Sequence, residues 1–145
     1  MRVMVIVKAS KESETETDAP PDEQALRAMG AFNDELIKAG VMIFADGLQP
    51  SRKGKRIRFA NGGISVIDGP FTETKELVAG FWVWEVASMD EAVAWARRCP
   101  CPMPGGQGEL EIRAFHEADE FGPELAQEVR AHQERLHAGL DKHPK

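Results

Sequence analysis

The chain has 145 residues, of which 42% are hydrophobic and 29% charged, and a formal net charge of −6. That length suggests one domain with a core of modest size, and the acidic balance argues against broad nucleic-acid binding, which needs a basic face to neutralise phosphates. No run approaches the length of a membrane span. The two cysteines, Cys99 and Cys101, are too close in sequence for an easy mutual disulfide, so the expected setting is a reducing, cytoplasmic one.

Along the chain, "RVMVIVKA" (2–9) is apolar on both faces and predicts a buried first strand, not a signal peptide. "SKESETETDAPPDE" predicts a polar, acidic loop. A helix follows. Asp22 is placed to cap it, Leu26, Met29, Phe32, Leu36 and Ile37 recur at helical spacing, and Gly40 closes it. Gly30 inside that helix marks close approach by a neighbouring backbone or ligand, or is merely tolerated there. "VMIFADGL" (41–48) predicts a second strand. "RIRF-ANGG-ISVID" (56–68) predicts a hairpin turning at Asn61-Gly62, within an insert spanning about 50–72.

"GFWVWEV" (80–86) predicts another strand that is apolar on both sides. Ser88 to Glu91 has capping-box spacing and opens a short helix carrying Ala92, Val93, Trp95 and Ala96, with Arg97 and Arg98 in its last turn. "CPCPMPGGQG" predicts a loop, "ELEIRAF" (109–115) a final alternating strand, and "GPELAQEVRAHQERLHAGL" a terminal helix with a sparse stripe of Leu125, Val129 and Leu136. The order is βαββαβ with an inserted hairpin, an α+β fold of the ferredoxin-like kind over residues 1–118, followed by a helical extension over 119–145. Phe81 and Val83 point to one side of their strand and Trp82 and Trp84 to the other. Two helices cover only one face of such a sheet, so the pattern predicts a homodimer whose second copy covers the open face. The alternative is that the terminal helix folds back over it.

The stretches "GLQPS", "DGPFTETKE", "GFWVWEV", "RCPCPMPG" and "ADEFG" resemble the YCII-related family, in its branch named for the DGPF motif. The resemblance runs over nearly the whole chain. It implies a dimeric α+β barrel, in which two ferredoxin-like sheets pack face to face around a cleft. It also implies relatives among small-molecule isomerases and monooxygenases, some without a cofactor, and an accessory link to an extracytoplasmic-function sigma-factor system. The narrower YciI-like branch carries a proposed His–Asp pair. The matching positions here are Met29 and Cys99, and neither reproduces a histidine–carboxylate relay.

Asp68 is the candidate catalytic residue, a carboxylate whose burial beside Phe71 and the tryptophans would make it a better base. The competing reading is a turn in which Asp68 accepts backbone N–H groups, Gly69 bends and Pro70 fixes the exit. Asp46 is a possible second carboxylate in the same cleft, or a strand-end turn residue. Phe32, Trp82 and Trp84 are candidate walls of a ligand pocket, or core. Phe71 is a candidate contact, or an anchor for the hairpin. Cys99 beside Arg97 and Arg98 is a reactive thiol or a plain loop residue. Cys99-Pro100-Cys101 has too few partners for zinc, and His116, His132, His137 and His143 lack metal-motif spacing. No metal or cofactor is expected. The leading expectation is a homodimer binding a small, partly apolar molecule. The alternatives are a cofactor-independent isomerase- or lyase-like enzyme using Asp68 for proton transfer, and a protein-interaction module using the terminal helix or the basic "SRKGKRIR" cluster (51–58).

Overall fold

A computed structural model describes residues 1–15, 22–103 and 106–141, with the backbone alone at 141. Part of the acidic loop, residues 104 and 105 of the proline–glycine loop, and His143 lie outside the described residues. The chain divides into two compact units, Met1–Ala114 and Phe115–Lys145.

The first unit is built on a four-stranded antiparallel sheet of β1 (Arg2–Lys8), β2 (Met42–Gly47), β5 (Val78–Glu85) and β6 (Leu110–Ala114), in the order β2-β5-β1-β6. With α2 (Glu23–Lys38) and α3 (Met89–Ala96) as crossovers, this is the ferredoxin-like α+β topology. The period-2 alternation sorts the central strands. Val3, Val5 and Val7 of β1 and Trp82 and Trp84 of β5 are buried with Phe32 and Leu36 of α2 and Ala92 of α3. Cross-strand register places Met4 beside Val83, Ile6 beside Phe81, and Phe44 beside Val83, so these five residues share the face that carries neither α2 nor α3. Glu111 and Arg113 of β6 join them on that face, and Lys8 pairs with Glu111 at 3.4 Å.

Asp22 caps α2 by accepting the Gln24 N–H at 3.0 Å, and Gly40 closes it at φ +71°. Two expectations for this helix are corrected. Leu26 and Ile37 are exposed, because the buried line runs through Phe32 and Leu36 with Met29 beside it, and both fall to one side of that line. A Cβ at Gly30 would meet nothing within 4 Å among the described residues, so none of them requires a glycine there by close approach, and tolerance is the reading left within the chain. Ser88 caps α3 by accepting the Glu91 N–H. The Glu91 carboxylate reaches the Ala87 N–H instead of closing the reciprocal box on Ser88. Within the acidic loop, Lys11–Glu14 form one helical turn, α1, closed by a reciprocal pair between Ser10 and Ser13.

The insert forms its own two-stranded sheet, β3 (Lys55–Ala60) and β4 (Gly63–Asp68), turned by Asn61 and Gly62 at φ +50° and +75°. The second unit holds a short 3₁₀ turn, Ala118–Phe121, and α4 (Pro123–Asp141). Within it His116 bonds Glu120 at 2.8 Å, and Arg130 pairs with Asp119. Leu125, Leu136 and Leu140 of α4 are exposed. No helix among the described residues is long and apolar enough to cross a membrane.

Candidate functional site

A cleft of about 330 Å³ opens between α2 and the β2–β5 side of the sheet. Met29 and Asn33, four apart and so on one helix face, enter it from α2. Trp82, Phe81 and Gly80 form its wall on β5, with Ala45, Asp46 and Gly47 on β2 and Val7 on β1. Pro102 and Met103, from the loop after α3, complete it. Gly80 is there because the backbone of β2 passes so close. A Cβ at Gly80 would stand 3.0 Å from the Asp46 carbonyl oxygen and 3.3 Å from the Gly47 Cα.

The cleft is mostly apolar, and its lining includes the polar residues Asn33 and Asp46. The Trp82 indole N–H donates to Asn33 Oδ1 at 2.9 Å. An indole nitrogen only donates, so this bond settles which end of the amide faces it and leaves the Asn33 NH₂ to point elsewhere. Asp46 Oδ1 accepts the N–H of Gly47 at 2.9 Å, a strand-end turn contact.

Of the residues singled out from the sequence, Met29, Asp46 and Trp82 come together in the cleft. Phe32 and Trp84 lie in the core, 4% and 0% exposed, with ring centroids 6.4 Å apart. The Trp84 indole nitrogen is buried without a hydrogen-bond partner among the described residues. Cys99 packs against that core and does not line the cleft. Its thiol is pushed up to about 11, first by burial and then by Cys101, so it stays protonated near neutrality. Arg98, expected to help that thiol, is paired with Glu35 and lies over the Trp95 ring at 4.6 Å. Among the described residues no cluster of three or more His, Cys, Asp or Glu is arranged to hold a metal.

Asp68 ends β4 outside the cleft lining, exposed, with Oδ1 2.5 Å from the Lys55 ammonium across the hairpin. The rest of its motif has a different task. The Gly69–Pro70 peptide is cis, and a Cβ on Gly69 would fall 1.8 Å from the Ser51 carbonyl oxygen. Phe71 donates its N–H to Ser51 Oγ at 3.1 Å and stacks under the Arg56 guanidinium, 3.9 Å from ring centroid to carbon. Ser51 in turn donates its hydroxyl and its N–H to Glu14 Oε2, at 2.6 and 3.0 Å. Asp-Gly-Pro-Phe thus clamps the base of the hairpin against the segment that precedes it. Asn33, Met103 and Gly80 carried no sequence signal as site residues, although Asn33 is one helical turn beyond Met29.

Fold and cleft together define a ferredoxin-like α+β domain with a ligand-sized recess beside its edge strand. The chain belongs to the YCII-related domain family, whose model matches residues 1–116. It is 35% identical over 92 residues, 63% of this chain and 73% of the other, to an uncharacterised protein of Rhizobium meliloti (strain 1021). Among solved structures it is similar to 5-chloro-2-hydroxyhydroquinone dehydrochlorinase (TftG) from Burkholderia phenoliruptrix AC1100 in complex with 2,5-dihydroxybenzoquinone. The likeness has a TM-score of 0.43 and 16% identity, over 81% of this chain and 95% of that one, and says nothing of chemistry here.

Proposed function

We propose that this protein binds a small, partly apolar molecule carrying a hydrogen-bond acceptor, and that it does so as a homodimer. The observation that carries the reading is the Trp82–Asn33 bond inside an apolar recess of about 330 Å³. The bond occupies the Asn33 oxygen and leaves its NH₂ as a donor in a recess that Trp82, Met29 and Met103 also line, of a size and polarity suited to a single-ring ligand. The dimer is supported by the apolar face of Met4, Ile6, Phe44, Phe81 and Val83. Phe81 and Trp82 are neighbours on β5 whose side chains point to opposite sides, so that face and the cleft share one strand.

Titration with a panel of single-ring aldehydes, ketones and phenols, read by tryptophan fluorescence, tests the binding. Saturable quenching is expected for carbonyl-bearing members, and Asn33→Leu should weaken it about 10-fold, the worth of one lost hydrogen bond. Saturable binding that Asn33→Leu leaves intact, or none across the panel, would refute this site.

A second reading, proton transfer on the bound molecule, is favoured by one observation, the position of Asp46 in the cleft wall. In that reading Asp46 takes the role that the sequence offered to Asp68.

A further inference from the structure

The hairpin presents two unlike faces. By register Ile57 stands opposite Val66 and Phe59 opposite Ile64, so all four point to one side, with the Lys55–Asp68 pair at the end of the row. These four are 52%, 60%, 75% and 69% exposed in that order. Arg56 and Arg58 lie on the other side. A two-stranded sheet with no packed face is marginal in water, so this one needs a cover.

Two features identify the cover. The first is area. The sheet face away from α2 and α3 measures roughly 400 Å², taking four strands at ~4.8 Å spacing and five to six residues at ~3.4 Å rise. A stable interface buries ~800 Å² on each partner, so the sheet alone supplies about half. The hairpin face adds roughly 200 Å² by the same measure. The second is charge. Residues 51–68 carry five cations and one anion, net +4, while the remainder of the chain carries −10. A basic arm on an acidic body is complementary to another such body. An anionic membrane or a nucleic acid would be repelled by that body, and four bare aliphatic and aromatic side chains do not suit phosphates.

We propose that the β3–β4 hairpin is a dimerisation arm, with its Ile57, Phe59, Ile64 and Val66 face covered by a second copy of this chain. This rests on the homodimer proposed above and extends it from the sheet to the insert. The clamp of Gly69, Phe71, Ser51 and Glu14 then serves to aim the arm.

Sedimentation equilibrium of the full chain, the double variant Phe59→Ser/Ile64→Ser and the sheet-face variant Val83→Lys tests it. A second arm variant, Ile57→Ser/Val66→Ser, and near-ultraviolet circular dichroism of the buried tryptophans guard against simple misfolding. Both arm variants should raise the dimer dissociation constant by at least about 100-fold, since each withdraws two apolar side chains per copy. Hydrogen exchange of the 55–68 amides should slow as protein concentration passes that constant. A dimer weakened by Val83→Lys but untouched by both arm variants overturns the arm and leaves the sheet-paired dimer standing. A native chain that stays monomeric at about 100 μM removes the dimer and the arm together. Co-sedimentation with phosphatidylglycerol vesicles that the arm variants abolish, without any change in the dimer, would reassign this face to a lipid surface.

Discussion

Cys99 and Cys101 share a residue type and differ in surroundings. Cys101 is exposed, whereas Cys99 packs on the core with its thiol pushed up to about 11 by burial and by Cys101. The ordinary value is 9.0, so an unfolded chain loses this proton first as pH rises. The sign follows: the contribution of Cys99 to stability is fully present below pH 9 and falls away between about 9 and 11. Alkylation by iodoacetamide, followed by mass spectrometry, should modify Cys101 first at pH 8, while the Cys99 rate goes on climbing past pH 10. Equal rates at pH 8 would show that the core does not shelter it. Sequence alone set Cys99 beside two arginines and made a reactive thiol conceivable. It could not tell that Arg98 is held by Glu35, 63 positions away along the chain. Asn33 shows the converse: its helical register with Met29 was legible, but its value depends on where the Trp82 N–H arrives.

At the scale of elements, local rules were read most directly where the partners are near in sequence. The Asp22 and Ser88 caps, Gly40 at the end of α2 and the Asn61-Gly62 turn are all satisfied within a few residues. The Lys11–Glu14 turn escaped because its Ser10–Ser13 pair sits in a polar run with no apolar period to announce it. The DGPF stretch escaped in part because its partners are distant. Gly69 is needed for Ser51 to approach, and Phe71 for Ser51 and Arg56, a demand that no spacing within the motif reveals. Gly69→Ala should therefore cost at least about 2 kcal/mol in the hairpin, since its Cβ meets backbone and not a yielding side chain. Hydrogen exchange should report faster exchange at 55–68 with the core amides little changed. Protection matching the parent chain would mean that the approach to Ser51 relaxes freely.

For the whole molecule, both faces of the central strands are apolar, and only one is covered by α2 and α3. If a second copy covers the other, folding is linked to association, and the melting temperature should rise with protein concentration between about 1 and 100 μM. Calorimetry giving the same midpoint across that range would mean the face is stable against water. The order of strands and helices, the two apolar faces of β1 and β5 and the hairpin were determined by the sequence by itself, because hydrophobic period and turn chemistry act over a few neighbouring residues. Tertiary structure alone decided that Met29, Asn33, Asp46 and Trp82 share a recess while Asp68 and Phe71 serve the hairpin. Those groupings come from chain crossings tens of residues apart, and the forces that make them, packing and long-range hydrogen bonds, leave no local periodicity to read.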